Sequence, residues 1–337
     1  MDILLESRAF YPSVGGLEMM AQELGKHWQK RGHEVRVMTV TPLGEQSELT
    51  KLDVLRFPTL SEWMRHLRWA DVFFQNGVSL RSIAYPLVTK CPIVFRHPNI
   101  LASDATVNIR NELKRLATNC GANVASCGPV AESIPGPTVT IPNTFRPVFE
   151  QPDAEKAHRD GLLFVGRLVS VKGADLAIEA LRQLHERGVN TTLMICGGGP
   201  ERKSLQEQVQ QADLDEYVTF NGFTGPEELA EQYRSAELLL VPSRFEPFGI
   251  VALEAIASRC PVVAAQTGGL PEAVGDCGLL VPPDDAAALA NAIEQALRPG
   301  VRQNLRTDMP AHVDRHRTGR IATDYLHVLR QAAQSRE

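Results

Sequence analysis

Apolar residues in this chain fall into short runs separated by longer stretches in which they recur every three or four positions. The runs at 3–5, 35–40, 54–57, 72–75, 93–96, 124–126 and 139–141 read as buried strands, with helical spacing at 17–30 and 79–89 between them. Residues 142–160 break the pattern: they are polar, proline-containing and without a period, and read as a linker. Strand-like runs resume at 162–165, 192–196, 218–220, 238–241, 262–265 and 279–281. Helical spacing lies at 174–186, 201–212, 226–235, 248–257 and 286–296, and a last amphipathic segment covers 315–334. Strands alternating with helices predict an α/β fold with parallel sheets covered on both faces. Two such halves predict two Rossmann-like doubly wound domains facing across a cleft: 1–150, 151–314, and a terminal segment 315–337. Ligands of such sheets bind beyond the carboxyl ends of the strands, so the loops that leave those ends are where chemistry is expected.

The loop after 238–241 opens SRFEPFGIVALEA. Pro247 suits the first turn of a helix beginning at Phe248. The amides of Phe248, Gly249 and Ile250 would then point from a positive helix end and suit an anion. Glu246 stands in the turn, and Glu254 sits in the otherwise apolar IVALEAIA, where an unpaired carboxylate is costly. One carboxylate can face a sugar and the other a ribose, with phosphate between; a helix cap and a solvated helix residue are the plainer alternatives. In LLFVGRLVSVKG, Gly166 permits a close turn, and Arg167 and Lys172 stand beside a helix start. Two cations there form a diphosphate site, or else two solvated surface charges. Three glycines, Gly197, Gly198 and Gly199, follow another strand and allow close backbone approach or a tight turn. In YPSVGGLE, Gly15 and Gly16 precede a helix with an early Glu18, a loop able to lay amides on phosphate. His97 ends the strand PIVFR, at the expected site edge.

The two glutamates in this setting resemble the paired-glutamate motif of the retaining glycosyltransferases of family 4 (glycosyl transferases group 1), and the likeness extends over most of the chain. The resemblance implies the GT-B fold, with a terminal helix packing back on the first domain, which takes the acceptor while the second takes the nucleotide sugar. It implies that Arg167 and Lys172 grip the donor diphosphate, that Glu246 holds the sugar, and that Glu254 holds the ribose. It further implies that Gly197 and Gly198 wall the nucleotide pocket, that main chain around Asn221 and Phe223 meets the base, and that His97 lies near the transferred sugar. The strand YVTFNGF with Phe223 in the core is the plainer alternative. IPNTF is similar to the family's I-P-N-G segment, with Thr144 in place of the glycine after Asn143. The family usually needs no metal and no cofactor beyond the nucleotide-diphosphate sugar. Its bacterial members commonly act on glycan or lipid-linked acceptors in polysaccharide or glycolipid synthesis.

At 337 residues the chain has room for two domains, and its net charge of −5 does not suggest nucleic-acid binding. Charge is uneven: residues 1–150 carry 16 Lys and Arg against 14 Asp and Glu, and the remainder 19 against 26. A mildly basic first half is compatible with an anionic acceptor or membrane surface. No apolar run nears the ~20 residues that cross a bilayer, and no signal-peptide pattern opens the sequence. The six cysteines lack metal-ligand spacing and read as reduced thiols of a cytoplasmic protein, peripheral at most on the inner membrane face. SEWMRHLRWA, with Trp63 and Trp69, reads as a surface helix or a basic amphipathic one resting on headgroups. The triplet Asp213–Asp215 lies before a strand, away from the expected site, and reads as surface charge. Two other functions use the same plan: a sugar-nucleotide epimerase, which needs additional acid–base groups, and a nucleotide-sugar binder without catalysis.

Overall fold

The computed structural model describes residues 1–11, 15–43, 51–101, 109–150 and 159–335. They form two compact units, Met1–Thr144 with His316–Glu337, and Phe145–Arg315. Of the linker expected at 142–160, residues 151–158 lie outside the described residues, as do 12–14 of the first glycine loop.

The first unit is built on β1 (Asp2–Glu6), β2 (Glu34–Thr39), β3 (Asp53–Arg56), β4 (Val72–Asn76), β5 (Ile93–His97), β6 (Ala122–Ala125) and β7 (Thr138–Thr140). All pairings are parallel and the strand order is β3-β2-β1-β4-β5-β6-β7. The order reverses between β1 and β4, which is where a doubly wound sheet opens a crevice at its carboxyl edge. Every residue of β4 and β5 is buried, as continuous apolar runs in a covered parallel sheet require.

The helix Gly16–Lys30 buries Met19, Met20, Leu24 and Trp28. Trp28 meets Phe74 edge-on at 5.3 Å and Tyr325 of the helix Thr318–Gln334 at 6.5 Å, and its indole N–H donates to the Ala322 carbonyl at 3.0 Å. The helix expected over 79–89 shortens to Ala84–Thr89. The residues before it are engaged otherwise: the Ser79 amide donates to Gln75 Oε1 at 2.9 Å, and the Ser82 hydroxyl donates to the Glu6 carboxylate at 2.5 Å. The helix Leu60–Trp69 starts with a Thr59/Glu62 capping box and buries Trp63 and Leu67. Trp69 is covered by the Arg36 guanidinium, 3.8 Å from its ring centre. Both tryptophans of this helix are thus engaged by their own unit, which favours the surface-helix reading over the headgroup one.

The second unit is built on β8 (Leu162–Val165), β9 (Leu193–Cys196), β10 (Val218–Gly222), β11 (Leu238–Val241), β12 (Val262–Ala265) and β13 (Gly278–Val281). Its order is β10-β9-β8-β11-β12-β13, again all parallel, with the reversal between β8 and β11. The helices Ala174–Glu186 and Ala286–Leu297 close one face, where Ile178, Leu181, Leu240, Val263 and Ile293 form a continuous core. The helix after β11 runs Ile250–Ala257 and not from Phe248. Gly249 adopts a left-handed conformation (φ 101°) as its N-cap, so Pro247 stands before the helix and not in its first turn. Five cysteines are buried, Cys120 is exposed, and all six are free.

Trp28 joins three elements of the first unit. Replacing it with Ala should lower stability by about 3–5 kcal/mol, the usual cost of an emptied aromatic site. Urea unfolding followed by circular dichroism measures this, and an unchanged midpoint would contradict the packing described.

Candidate functional site

In the second unit the loop leaving β8 carries Arg167 and Lys172, and the loop leaving β11 carries Ser243, Arg244 and Glu246. These two strands are neighbours across the reversal of strand order, so their loops diverge around the crevice. The Lys172 ammonium and the Glu246 carboxylate form an ion pair over it. The Ser243 hydroxyl lies 3.5 Å from the same carboxylate oxygen. Glu246 is only 9% exposed.

Arg244 fixes the two loops to each other. Its guanidinium donates to both Asp175 oxygens at 3.0 and 2.6 Å, to Asp284 at 2.8 Å and to the Ser170 carbonyl at 2.6 Å. Its own amide donates to the Val171 carbonyl at 2.9 Å. Hydrogen bonding to Asp175 raises the Arg244 pKa against the opposing effect of desolvation, helped by the Asp175 and Asp284 charges, so this clamp stays charged.

Two glycine turns bed these loops. A side chain at Gly197, which has φ of 146°, would collide with the Gly166 carbonyl. The Gly166 amide donates to the Cys196 carbonyl at 3.0 Å and the Leu168 amide to that of Gly198 at 2.9 Å, so the turn after β9 carries the Arg167 loop. Arg167 itself is exposed and makes no side-chain hydrogen bond or ion pair among the described residues. A side chain at Gly268 (φ 52°) would collide with the Glu246 carbonyl, which accepts from the Gly269 amide at 3.1 Å. Gly268 and Gly269, after β12, and Arg244 were not singled out in the sequence. A glycine pair between an apolar run and a helix was the available signal for the former; Arg244 pairs with a residue 69 positions away and gave none.

The remaining expected residues lie as follows. Phe248 is buried beneath the loop, next to Gly249 and Ile250. β10 bulges between Phe220 and Gly222, and Phe223 emerges 74% exposed, which excludes its core alternative. The Asn221 amide group donates to Thr224 and Glu228, both at 3.2 Å. Glu254 is 6% exposed and accepts from the Tyr233 hydroxyl at 3.3 Å, so it is not a solvated helix residue. Burial pushes its carboxyl up to about 7, against the opposing pull of Arg146 and the Tyr233 hydrogen bond. Asp213 and Asp215 precede β10 and so sit at the opposite, amino edge of the sheet.

The other expected residues belong to the first unit. His97 is 1% exposed, and its Nε2 lies 2.9 Å from Asn123 Oδ1. The Asn123 amide group donates to the Thr118 carbonyl at 3.0 Å, leaving Oδ1 to accept, so neutral His97 carries its proton on Nε2. Burial lowers its pKa to about 4, more than the Asn123 hydrogen bond raises it. Gly15 caps the helix Gly16–Lys30, and the Glu18 carboxylate folds back to 2.6 Å from where a Gly15 side chain would begin. That helix end is therefore already faced by an acid. Asn143 accepts from Arg96 at 2.7 Å, while Thr144, in place of the family's glycine, is buried with its hydroxyl 3.0 Å from that of Thr318.

Paired doubly wound units of this kind are the domains of GT-B proteins. Residues 146–311 match the family described as glycosyl transferases group 1. The chain is 36% identical over 217 residues to a D-inositol 3-phosphate glycosyltransferase of Acidothermus cellulolyticus, covering 59% of this chain and 48% of the relative. It is 36% identical over 152 residues to the alpha-D-kanosaminyltransferase of Streptomyces kanamyceticus, covering 43% of this chain and 39% of the relative. The chain spans between about a third and a half of the length of the curated relatives it matches. Among solved structures, Anabaena HepE in complex with UDP and glucose superposes with a TM-score of 0.82 at 20% identity, over 97% of this chain and 99% of that one. Sucrose-phosphate synthase from Thermosynechococcus elongatus gives 0.79 at 22% identity, over 99% of each chain. At that identity the two structures establish the fold.

The Glu254 environment has a pH signature. Its carboxyl binds a proton more tightly folded than unfolded, so its contribution to stability is complete below about 4.5 and is lost as pH rises through about 7. Glu254→Gln should remove this loss and stabilise the protein at pH 8 relative to pH 5, by up to about 3 kcal/mol. Denaturant midpoints of both proteins across that range measure it; parallel curves would refute the assignment.

Proposed function

We propose that the chain is a retaining glycosyltransferase that moves a sugar from a nucleoside-diphosphate sugar to a glycan or lipid-linked acceptor. The observation that carries this reading is the Lys172–Glu246 pair at the switch point of the β8–β13 sheet, held by Arg244 and bedded on the turns at Gly197 and Gly268. The crevice at the carboxyl edge is where such sheets take phosphorylated ligands. Relatives that match part of the chain are named as glycosyltransferases, and HepE was crystallised with UDP.

Transfer breaks the bond between the anomeric carbon and the diphosphate oxygen, leaves the electron pair on the diphosphate and joins the carbon to an acceptor oxygen. Lys172 and Arg167 stabilise the departing diphosphate, and the amide of Gly249 adds a main-chain donor. Glu246 accepts from sugar hydroxyls, for which it releases Lys172 towards phosphate. Glu254 holds the ribose, and Asn221 and Phe223 border the base. In the first unit, neutral His97 stands at the end of β5 as the group assigned to the sugar. Retention follows from acceptor attack on the face the leaving group departs from, with the departing phosphate taking the acceptor proton. The work fits synthesis of cell-surface polysaccharide or glycolipid on the cytoplasmic side of a membrane.

Lys172→Met and Glu246→Gln should each lower kcat by about 10²–10³-fold, the usual loss for one preorganised electrostatic partner, with circular dichroism unchanged. Radiolabelled UDP-sugars incubated with a lipid and oligosaccharide extract provide the assay. Transfer at wild-type rate in both variants would dismiss these roles. Release of a free epimer would instead establish the epimerase, and binding without turnover the non-catalytic receptor.

A further inference from the structure

The first unit has its own crevice, and two adjoining hollows occupy it. The larger, about 480 Å³, is bordered by Arg8, Asn76, Ser79, Arg81, His97 and Lys114 among others. The smaller, about 310 Å³, is bordered by Phe57, Trp63 and Tyr85 and shares Arg8, Ser79 and Arg81 with the first. Arg8 follows β1 and Arg81 follows β4, so the two cations flank the reversal of strand order, as Lys172 and Glu246 do in the other sheet.

The charge there is one-sided. No acidic side chain borders the larger hollow among the described residues. The acid bordering the smaller one, Glu6, is buried and already accepts from Gln75 at 2.7 Å and Ser82 at 2.5 Å. Three other arginines of this unit are engaged, Arg36 with Asp53 and Trp69, Arg56 with the Thr41 and Tyr11 carbonyls, and Arg96 with Asn76 and Asn143, while the exposed Arg65 and Arg68 of the helix Leu60–Trp69 border neither hollow. The guanidinium groups of Arg8 and Arg81 make no hydrogen bond or ion pair among the described residues. Two unengaged planar cations on opposite sides of one crevice match the oxygens of a phosphate, which guanidinium binds through paired N–H donors.

We infer that this crevice binds an acceptor carrying a phosphate monoester, held between Arg8 and Arg81 with the rest of the acceptor beside His97. The inference rests on the transferase reading, in which the first unit takes the acceptor. The phosphate can belong to a water-soluble polyol or sugar, seated in the polar hollow, or to a lipid, whose glycerol end would meet Phe57 and Tyr85.

The test uses the full chain saturated with UDP, so that the anion site of the second unit is filled. Ring resonances of His97 are followed by NMR while glycerol 3-phosphate, or glycerol as the uncharged control, is added. Binding to vesicles of phosphatidic acid in phosphatidylcholine, against phosphatidylcholine alone, is measured in parallel. We expect a His97 shift with glycerol 3-phosphate only, weakened about tenfold or more in Arg8→Gln and in Arg81→Gln. Selective binding to phosphatidic acid, lost in the same variants, would support the inference with a lipid source. Neither response, or responses equal in wild type and both variants, would overturn it. Wild-type binding of UDP, ADP, GDP and dTDP, measured first by calorimetry, reports separately on the transferase reading and selects the nucleotide used for saturation should it not be UDP: failure of all four sinks that reading even where the phosphate response is present, and binding of one leaves that reading standing where the response is absent.

Discussion

The pairing of Lys172 with Glu246 depends on how tightly two loops from adjacent strands can be held without a regular element joining them. Neither loop extends a strand or a long helix, so backbone pairing does little for them. Arg244 supplies the constraint by reaching Asp175, Asp284 and the Ser170 carbonyl with a single planar group. Bidentate contact leaves a guanidinium little rotational freedom, so the loop that carries Glu246 is fixed in register with the loop that carries Lys172. The glycine turns at Gly197 and Gly268 act from the other side, where any side chain would push the loops away. A site made this way is preorganised by its surroundings more than by its own charges.

The two sheets solve the same geometric problem with different chemistry. Both reverse strand order once, and both place charge at the gap. In the second unit the charges are of opposite sign and largely withdrawn from water. In the first they are both positive, and the titratable group beside them, His97, is kept neutral by burial. The opposed charges of the second unit suit a ligand with hydroxyls and phosphates together, and the paired cations of the first unit suit a purely negative group.

Much of the fold was legible because parallel strands buried on both faces leave unbroken apolar runs, as in β1, β4, β8, β11 and β12, while the partly exposed β3, β7 and β10 left shorter ones. The positions of Arg167, Lys172, Glu246 and His97 in the fold were legible for the same reason: the first three lie in the loops that leave β8 and β11, and His97 ends β5. What was not legible depended on contacts distant in sequence or on single backbone angles. The left-handed Gly249 delays the helix beyond Pro247, although proline there resembles a first-turn residue. Ser79 and Ser82 bond to Gln75 and Glu6 and so shorten a helix whose apolar spacing continues through them. Phe223 is apolar yet projects outward because the strand bulges just before it. Arg244 and Arg8 look like any surface arginine until the sheet brings their neighbours together.

The first unit is discontinuous, since the helix Thr318–Gln334 comes from the far end of the chain and covers Trp28 and Phe74. On the ribosome, the β1–β7 sheet therefore emerges with an aromatic surface that stays bare until nearly all of the remaining chain has been made. The Phe145–Arg315 segment, contiguous and synthesised in between, can complete its own core first. A helper that shields nascent apolar surface would thus have a longer task on the β1–β7 sheet than on the unit translated after it.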